Sequence, residues 1–311
     1  MGTMFRIVLY APDEETATRA SQAAFDWVAR LDGIMSDYRE TSELTLLSQK
    51  AGSGQVKVSA DLFDILCISQ AIAARSGGAF DITAGPIIQL WRRARRTGEL
   101  PDRARLAKAL ALTGYRKLHL NRQTQEVQLD LPGMQLDLGG IAKGYAAHKA
   151  VAVLQSCGVR SALVAAGGDV FAGAAPPGEK GWRVKIISLT ADEKTEECLM
   201  IHDAAVSTSG DAEQFVQIEG VRYSHIVDPR TGLAVTGRSR VTVVAREGAI
   251  ADAAATALSV LAPTEGLKFI DEERDAAAFI IKASDDGGLQ KFFSRRWAGL
   301  TKVSSGSAAA F

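Results

Sequence analysis

Apolar positions recur at a helical period through most of the first half of the chain. From Pro12-Asp13 onward Ala17, Ala20, Ala24, Trp27, Val28 and Leu31 fall at helical spacing, and Asp32-Gly33 marks the expected end. Residues 5–9 before it read as a strand. Ser42 or Thr41 is placed to cap a short helix over 43–48. After a turn and short strand over 51–57, Ser59 opens a helix through Leu62, Ile65, Leu66, Ile68 and Ile72, closed by Gly77-Gly78. Helical segments are predicted over 83–93 and from Pro101-Asp102 to Leu112. Residues 117–120 and 126–131 form a hairpin, and a long helix runs from Ile141 to about Cys157 with a stop at Gly158.

The second half reads differently. Residues 161–166 are apolar apart from Ser161 at the start, as in a buried strand, and Gly167-Gly168-Asp169 breaks them before 170–172. Residues 182–187 alternate, 198–201 form another strand, and 204–211 are small residues ending in Ser207-Thr208-Ser209-Gly210. Residues 215–218 and 221–227 bracket Glu219-Gly220, a strong hairpin signal. Residues 241–245 and 276–281 are strands, 250–261 a helix of small residues and 264–271 a last helix; residues 303–311 read as a frayed tail. Strands do not alternate strictly with helices. The pattern therefore predicts α+β with largely antiparallel sheets rather than a doubly wound sheet.

At 311 residues the chain exceeds the size at which one core keeps growing, so two lobes are expected. It is 47% hydrophobic and 23% charged, a folded composition. Lys+Arg and Asp+Glu both number 36, and this zero net charge argues against a general nucleic-acid binder. Cys67, Cys157 and Cys198 have neither metal spacing nor a disulfide framework. No apolar run is long enough to cross a membrane. No signal peptide opens the chain, which suits a cytosolic protein and equally one whose leader is absent.

Asp137-Leu138-Gly139-Gly140-Ile141-Ala142-Lys143-Gly144-Tyr145-Ala146 joins a short apolar segment to a helix through a glycine turn. Such a turn either binds an anion at the helix start or is a tight connection with no ligand. Asp81 follows a Gly-Gly helix stop beside Phe80; it either faces a ligand or caps the 83–93 segment. Tyr38 is a loop tyrosine, at an edge or stacked on a flat ring. Arg92-Arg93-Ala94-Arg95-Arg96 reads as a solvated face. His225 lies three residues before Asp228 at a strand end, in His225-Ile226-Val227-Asp228-Pro229-Arg230-Thr231-Gly232. Asp252 and Thr256 share one face of the small-residue helix, a hard oxygen pair that suits Mg²⁺. The alternative there is a dipole-stabilising carboxylate with Thr256 bonded back to the backbone. There is no Walker A sequence, no GxGxxG after a strand and no GxSxG elbow.

Taken in order, Met1-Gly-Thr, residues 36–44, residues 78–86, the Asp137 stretch, and the His225 strand end with the Asp252…Thr256 helix resemble the ApbE family of Mg²⁺-dependent FAD:protein FMN transferases. Ala165-Ala-Gly-Gly-Asp169 and Thr208-Ser-Gly210 fit as well, so the resemblance covers nearly the whole chain. It implies a single catalytic domain over 1–311 made of two packed α/β lobes with FAD between them. It implies transfer of FMN from FAD to a Thr or Ser of an acceptor protein, such as a redox-complex subunit, with release of AMP. Members are often exported as lipoproteins, so a periplasmic or membrane-anchored location is expected, a cytoplasmic one being the alternative without a leader.

Carried over by residue, the resemblance puts the metal on the Gly140 carbonyl and the side chains of Asp252 and Thr256. Flavin contacts fall at Met1, Tyr38, Ala79, Phe80, Asp81, Asp137, Lys143 and Ile226, with His225 and Asp228 near the reacting phosphate. His225 is the expected base and Asp228 its partner. Two departures stand out: Ala212 replaces a frequent aromatic after Ser-Gly-Asp, and nothing precedes Met1, where a leader and part of a flavin loop are expected. The rival activities are a Mg²⁺-dependent FAD pyrophosphatase and a flavin-binding protein without turnover.

Overall fold

The structure is a computed structural model that describes residues 2–186, 189, 197–210, 214–284 and 288–304. Met1, Ala212 and the 305–311 tail lie outside these. The chain opens with β1 (Phe5–Tyr10) and continues through α1 (Glu14–Met35), α2 (Glu43–Gln49), β2 (Val56–Lys57), α3 (Ala60–Arg75), α4 (Gly85–Thr97) and α5 (Arg103–Ala111). Next come β3 (Leu118–Asn121), β4 (Glu126–Leu129), α6 (Ala142–Ser156), β5 (Ser161–Ala166), β6 (Asp169–Ala172), β7 (Trp182–Lys185) and β8 (Glu197–Ile201). Then follow β9 (Ala204–Gly210), β10 (Phe215–Ile218), β11 (Val221–Val227), β12 (Ala234–Thr236) and β13 (Ser239–Ala245). The chain closes with α7 (Gly248–Val260), α8 (Pro263–Glu272), β14 (Ala277–Ala283), β15 (Leu289–Phe293) and β16 (Lys302–Ser304).

Side-chain caps start the front helices where the sequence offers an acceptor. Asp13 takes the Thr16 N–H at 2.7 Å, Ser42 that of Thr45 at 3.1 Å, Ser59 that of Leu62 at 3.3 Å and Asp102 that of Arg105 at 2.9 Å. The structure adds β12, β15 and β16, which the pattern does not predict, with β16 reaching into the expected frayed tail, and α4 runs past 93 to Thr97. At α1 the difference has a plain reason. Asp32-Gly33 does not end α1, which runs on to Met35. Leu31 and Met35 are both buried, and the burial of that last apolar turn outweighs the cost of about 1 kcal/mol for a helical glycine.

The main sheet has the order β1-β5-β6-β9-β13-β14-β15, and every neighbouring pair is antiparallel. Helices α6 and α7 cover one face of its middle strands, with α1 and α3 packed behind them. On the other face Trp182, Val184, Leu199 and Ile201 of β7 and β8 pack against Leu163, Val244 and Phe279. A strand covered on both faces has no polar side to show, which is why 161–166 reads as apolar throughout after Ser161. A second, small sheet (β10-β11-β12) docks on α4, where Trp91 donates from its indole nitrogen to the Gly232 carbonyl at 2.8 Å. The observed class is thus α+β with antiparallel sheets flanked by helices.

Helices α6 and α7 meet backbone to backbone. A Cβ on Gly144 would lie 2.2 Å from the Gly248 carbonyl oxygen, and one on Gly248 would lie 2.0 Å from the Gly144 carbonyl oxygen. Only glycine fits at either position. Gly144→Ala should therefore destabilise the fold by at least about 1–3 kcal/mol in denaturant unfolding. Gly33→Ala is the opposite case: it is helical and open around its Cβ, so alanine should add up to about 1 kcal/mol.

Candidate functional site

Two stretches far apart in sequence run side by side. Gln135 bridges Ala84 in parallel, and the Asp137 N–H donates to the Ile82 carbonyl at 2.8 Å. Gly85 permits this approach, since a Cβ there would fall 2.6 Å from the Gln135 carbonyl oxygen. Asp137 is buried at the end of this segment and accepts from the Gly139 N–H at 2.7 Å and from Arg92 Nη2 at 2.7 Å. Burial and the nearby Asp37 push its pKa up, against the pull of Arg92. Arg92 also pairs with Asp37, and its guanidinium lies 4.4 Å from the centre of the exposed Tyr38 ring. The arginine run is thus not wholly a solvated face. Arg93 and Arg96 are exposed, whereas Arg92 is a half-buried strut between Tyr38 and Asp137.

Helix α6 leaves this turn with Lys143 on its first turn, and the glycine contact presses it onto α7. Asp252 is buried on α7, and its Oδ2 accepts the Gly144 N–H at 3.0 Å. Lys143 Nζ lies 3.5 and 3.4 Å from the two Asp252 oxygens, 3.2 Å from Asp169 Oδ2 and 2.9 Å from the Gly139 carbonyl oxygen. Asp169 is placed by the Gly167-Gly168 turn that opens β6. There it faces Ser207 of β9 in register, and the Ser207 hydroxyl donates to its other oxygen. A Cβ at Gly168 would meet the Thr208 carbonyl oxygen at 2.6 Å, so a side chain there would displace the turn. Burial and the Asp169 charge raise the Asp252 pKa, against the pull of Lys143 and the Gly144 N–H. Burial works against the Lys143 ammonium, but Asp169 and Asp252 outweigh it and hold its pKa above the usual lysine value.

Thr256 is one turn beyond Asp252 and half-buried. Its hydroxyl makes no hydrogen bond among the described residues, unlike Ser259 on the same helix, which bonds back to the Ala255 carbonyl at 2.8 Å. The backbone-bonded alternative for Thr256 is therefore not realised. Gly140 sits directly against it, since a Cβ there would lie 2.8 Å from Thr256 Oγ1. Asp252 and the unengaged Thr256 hydroxyl, one turn apart, thus share a face of α7, with Gly140 packed against Thr256 and Lys143 beside Asp252. This all-oxygen set, with one carboxylate, fits a hard divalent cation that keeps other positions for water or phosphate. Among the described residues there is no group of three or more His, Cys, Asp or Glu side chains, so a Zn²⁺-type cluster is not the arrangement.

His225 lies on β11, which packs against both α4 and α7. The β11–β12 pairing changes register between Tyr223 and Val227, an irregularity of the kind that re-aims a strand side chain. The His225 N–H donates to the Gln214 carbonyl at 3.0 Å, and ring Nδ1 lies 3.1 Å from the same oxygen. With the ring proton on Nδ1, Nε2 is the basic nitrogen. Asp228 does not act as expected. Arg230 holds it by bidentate contacts at 2.9 Å from Nε and Nη2, and the Arg230 N–H adds a third bond at 2.9 Å. Asp228 lies just past the end of β11, and these bonds tie its carboxylate to its own turn.

The remaining predicted contacts divide similarly. Asp81 is buried, and its oxygens accept from the Thr83 N–H at 2.8 Å, the Thr83 hydroxyl at 2.7 Å and the Tyr115 N–H at 2.6 Å. Burial raises its pKa against those three donors. Its carboxylate shapes the 79–83 loop, whereas α4 itself starts at Gly85, behind Ala84, without a side-chain cap. Ala79, Phe80 and Ile226 are buried. Sequence reasoning gave no role to Asp169, Ser207, Arg92 or Gly248. Asp169 had a visible signal in Gly-Gly-Asp; the others are recognised only by the groups they meet.

The chain matches the model of the ApbE family over residues 1–281. It is 30% identical over 291 residues to an FAD:protein FMN transferase of Klebsiella pneumoniae (strain 342), covering 92% of this chain and 83% of that one. It is 34% identical over 277 residues to an FAD:protein FMN transferase of Treponema pallidum, covering 84% and 76%. The solved structure of the flavin transferase ApbE from Vibrio cholerae superposes with a TM-score of 0.85 at 28% identity, over 97% of this chain and 96% of that one. The flavinyl transferase ApbE of Pseudomonas stutzeri gives 0.85 at 26% identity, over 96% and 94%. With the family model matched over residues 1–281 and the fold over nearly the full length, this chain belongs to the ApbE family.

Proposed function

We propose that this protein is an FAD:protein FMN transferase that moves FMN from FAD to the hydroxyl of a Thr or Ser on an acceptor protein and releases AMP. The observation that carries the reading is the convergence of Asp252, the unengaged Thr256 hydroxyl and Gly140 beside Lys143. A divalent cation held there, Mg²⁺ by family resemblance, would neutralise charge on the FAD diphosphate as AMP departs. At an effective dielectric of 20, two unit charges about 4 Å apart interact by roughly 4 kcal/mol. That is about three powers of ten in rate if realised in the transition state alone.

The protein's own groups supply the rest. Lys143 stands beside the same point and presents its ammonium to the phosphates. His225 Nε2 takes the proton of the acceptor hydroxyl as its oxygen bonds to the FMN phosphorus and the bond to the AMP oxygen breaks. Tyr38 and Asp137, tied together by Arg92, line the flavin side with Ile226 and the 79–81 backbone. Met1 belongs to that group by resemblance but lies outside the described residues. Asp228 supports the turn behind His225 through Arg230. The acceptor is a separate protein, and family resemblance favours the periplasm or a membrane anchor. Among the described residues no helix is long and apolar enough to cross a membrane.

Incubation with FAD and Mg²⁺, with and without candidate acceptor proteins, followed by mass spectrometry, tests the assignment. An acceptor gaining the mass of FMN with stoichiometric AMP is expected; FMN and AMP at the same rate without acceptor would make the protein a pyrophosphatase. Asp252→Ala should abolish Mg²⁺-dependent turnover with the fold intact by circular dichroism, and full activity would remove the metal assignment. His225→Ala should bind FAD normally and transfer FMN about 10²–10⁴-fold more slowly. Unchanged transfer would rule it out as the base.

A further inference from the structure

Three charges share one buried corner, and their distances are unequal. A firm charge-assisted N–H···O bond spans about 2.7–2.9 Å. Lys143 Nζ is that close to the Gly139 carbonyl oxygen, at 2.9 Å, and near it with Asp169, at 3.2 Å. From both Asp252 oxygens it stands off, at 3.5 and 3.4 Å. The firm partner of Asp252 is instead the Gly144 N–H.

The anchor on the far side of the ammonium is rigid. Asp169 is buried at the first residue of β6 and fixed across the strand pair by the Ser207 hydroxyl. Lys143 is a flexible stem, free to swing between the two carboxylates. An ammonium closing on Asp252 would sit where a cation bound by Asp252, Thr256 and Gly140 has to sit.

We propose that Asp169 is a positioning residue: it draws the Lys143 ammonium aside and so keeps the Asp252 carboxylate open to the divalent cation. This rests on the cation site proposed above and assigns a role to the Gly-Gly-Asp turn. Asp169→Asn keeps the shape and an oxygen for Ser207 but loses the charge that holds Lys143. The ammonium then closes on Asp252 and competes with the metal.

The test is titration of the purified full chain with Mg²⁺ alone, by calorimetry and by thermal shift, in four forms: wild type, Asp169→Asn, Lys143→Met and the double variant. Asp169→Asn should weaken Mg²⁺ binding roughly tenfold with Lys143 present, and at most about threefold in the Lys143→Met background, where only the lost field remains. A general structural defect would not depend on Lys143 in this way. An equal loss in both backgrounds, or no loss, overturns the proposal. Absence of Mg²⁺ binding by the wild type removes the cation site itself, and this role with it. Should Asp169→Asn not fold, Ser207→Ala, which frees the Asp169 carboxylate to turn, must give the same ordering.

Discussion

The contact between Gly144 and Gly248 is the constraint from which the site follows. Two helices that touch at their backbones cannot slide or roll without a clash, because no flexible side chain lies between them. That lock sets the Asp252 carboxylate onto the Gly144 N–H and leaves the Lys143 stem directed at the same corner. It also brings Gly140, at the open end of α6, against Thr256 on α7. A larger residue at the crossing would separate the helices and scatter groups that act only together.

Around that crossing the fold concentrates charge where water is scarce. Asp169 and Asp252 are buried with a single ammonium between them, so the corner carries excess negative charge. Buried carboxylates of this kind are costly unless paired. Burial and the Asp169 charge raise the proton affinity of Asp252, and the same excess of negative charge would favour a divalent cation. The Tyr38 side follows the same plan, with Arg92 linking Asp37 to Asp137 under the Tyr38 ring. In both places a positive side chain rooted on a helix spans groups from different segments. The carboxylates are therefore held in place before any ligand arrives, by the Gly144 N–H at Asp252, Ser207 at Asp169 and the Gly139 N–H at Asp137, a condition that limits reorganisation in electrostatic catalysis.

Much of the architecture was legible because local rules and the final packing agree. The caps at Asp13, Ser42, Ser59 and Asp102 formed where an acceptor preceded an apolar period. The apolar run that follows Ser161 announced a strand covered on both faces. The oxygen pair of Asp252 and Thr256 was visible from a spacing of four on a helix otherwise made of small residues. The end of α1 was misread because a glycine has a local cost, while the burial that outweighs it is not local.

By itself the sequence determined the order and type of most elements (β12, β15 and β16 excepted), the antiparallel class, the motifs and the face shared by Asp252 and Thr256. These depend on neighbours within a turn or a strand repeat. The tertiary structure alone decided what each charged group meets. It gave Asp228 to Arg230 rather than to His225, closed Asp81 onto Thr83 and Tyr115, turned Arg92 inward and put Asp169 opposite Ser207. A carboxylate's role is set by the charges and donors within a few ångströms of it. Arg230 and Thr83 come from two residues away, but Tyr115, Ser207 and the two partners of Arg92 come from segments tens of residues away, along directions that no local pattern encodes.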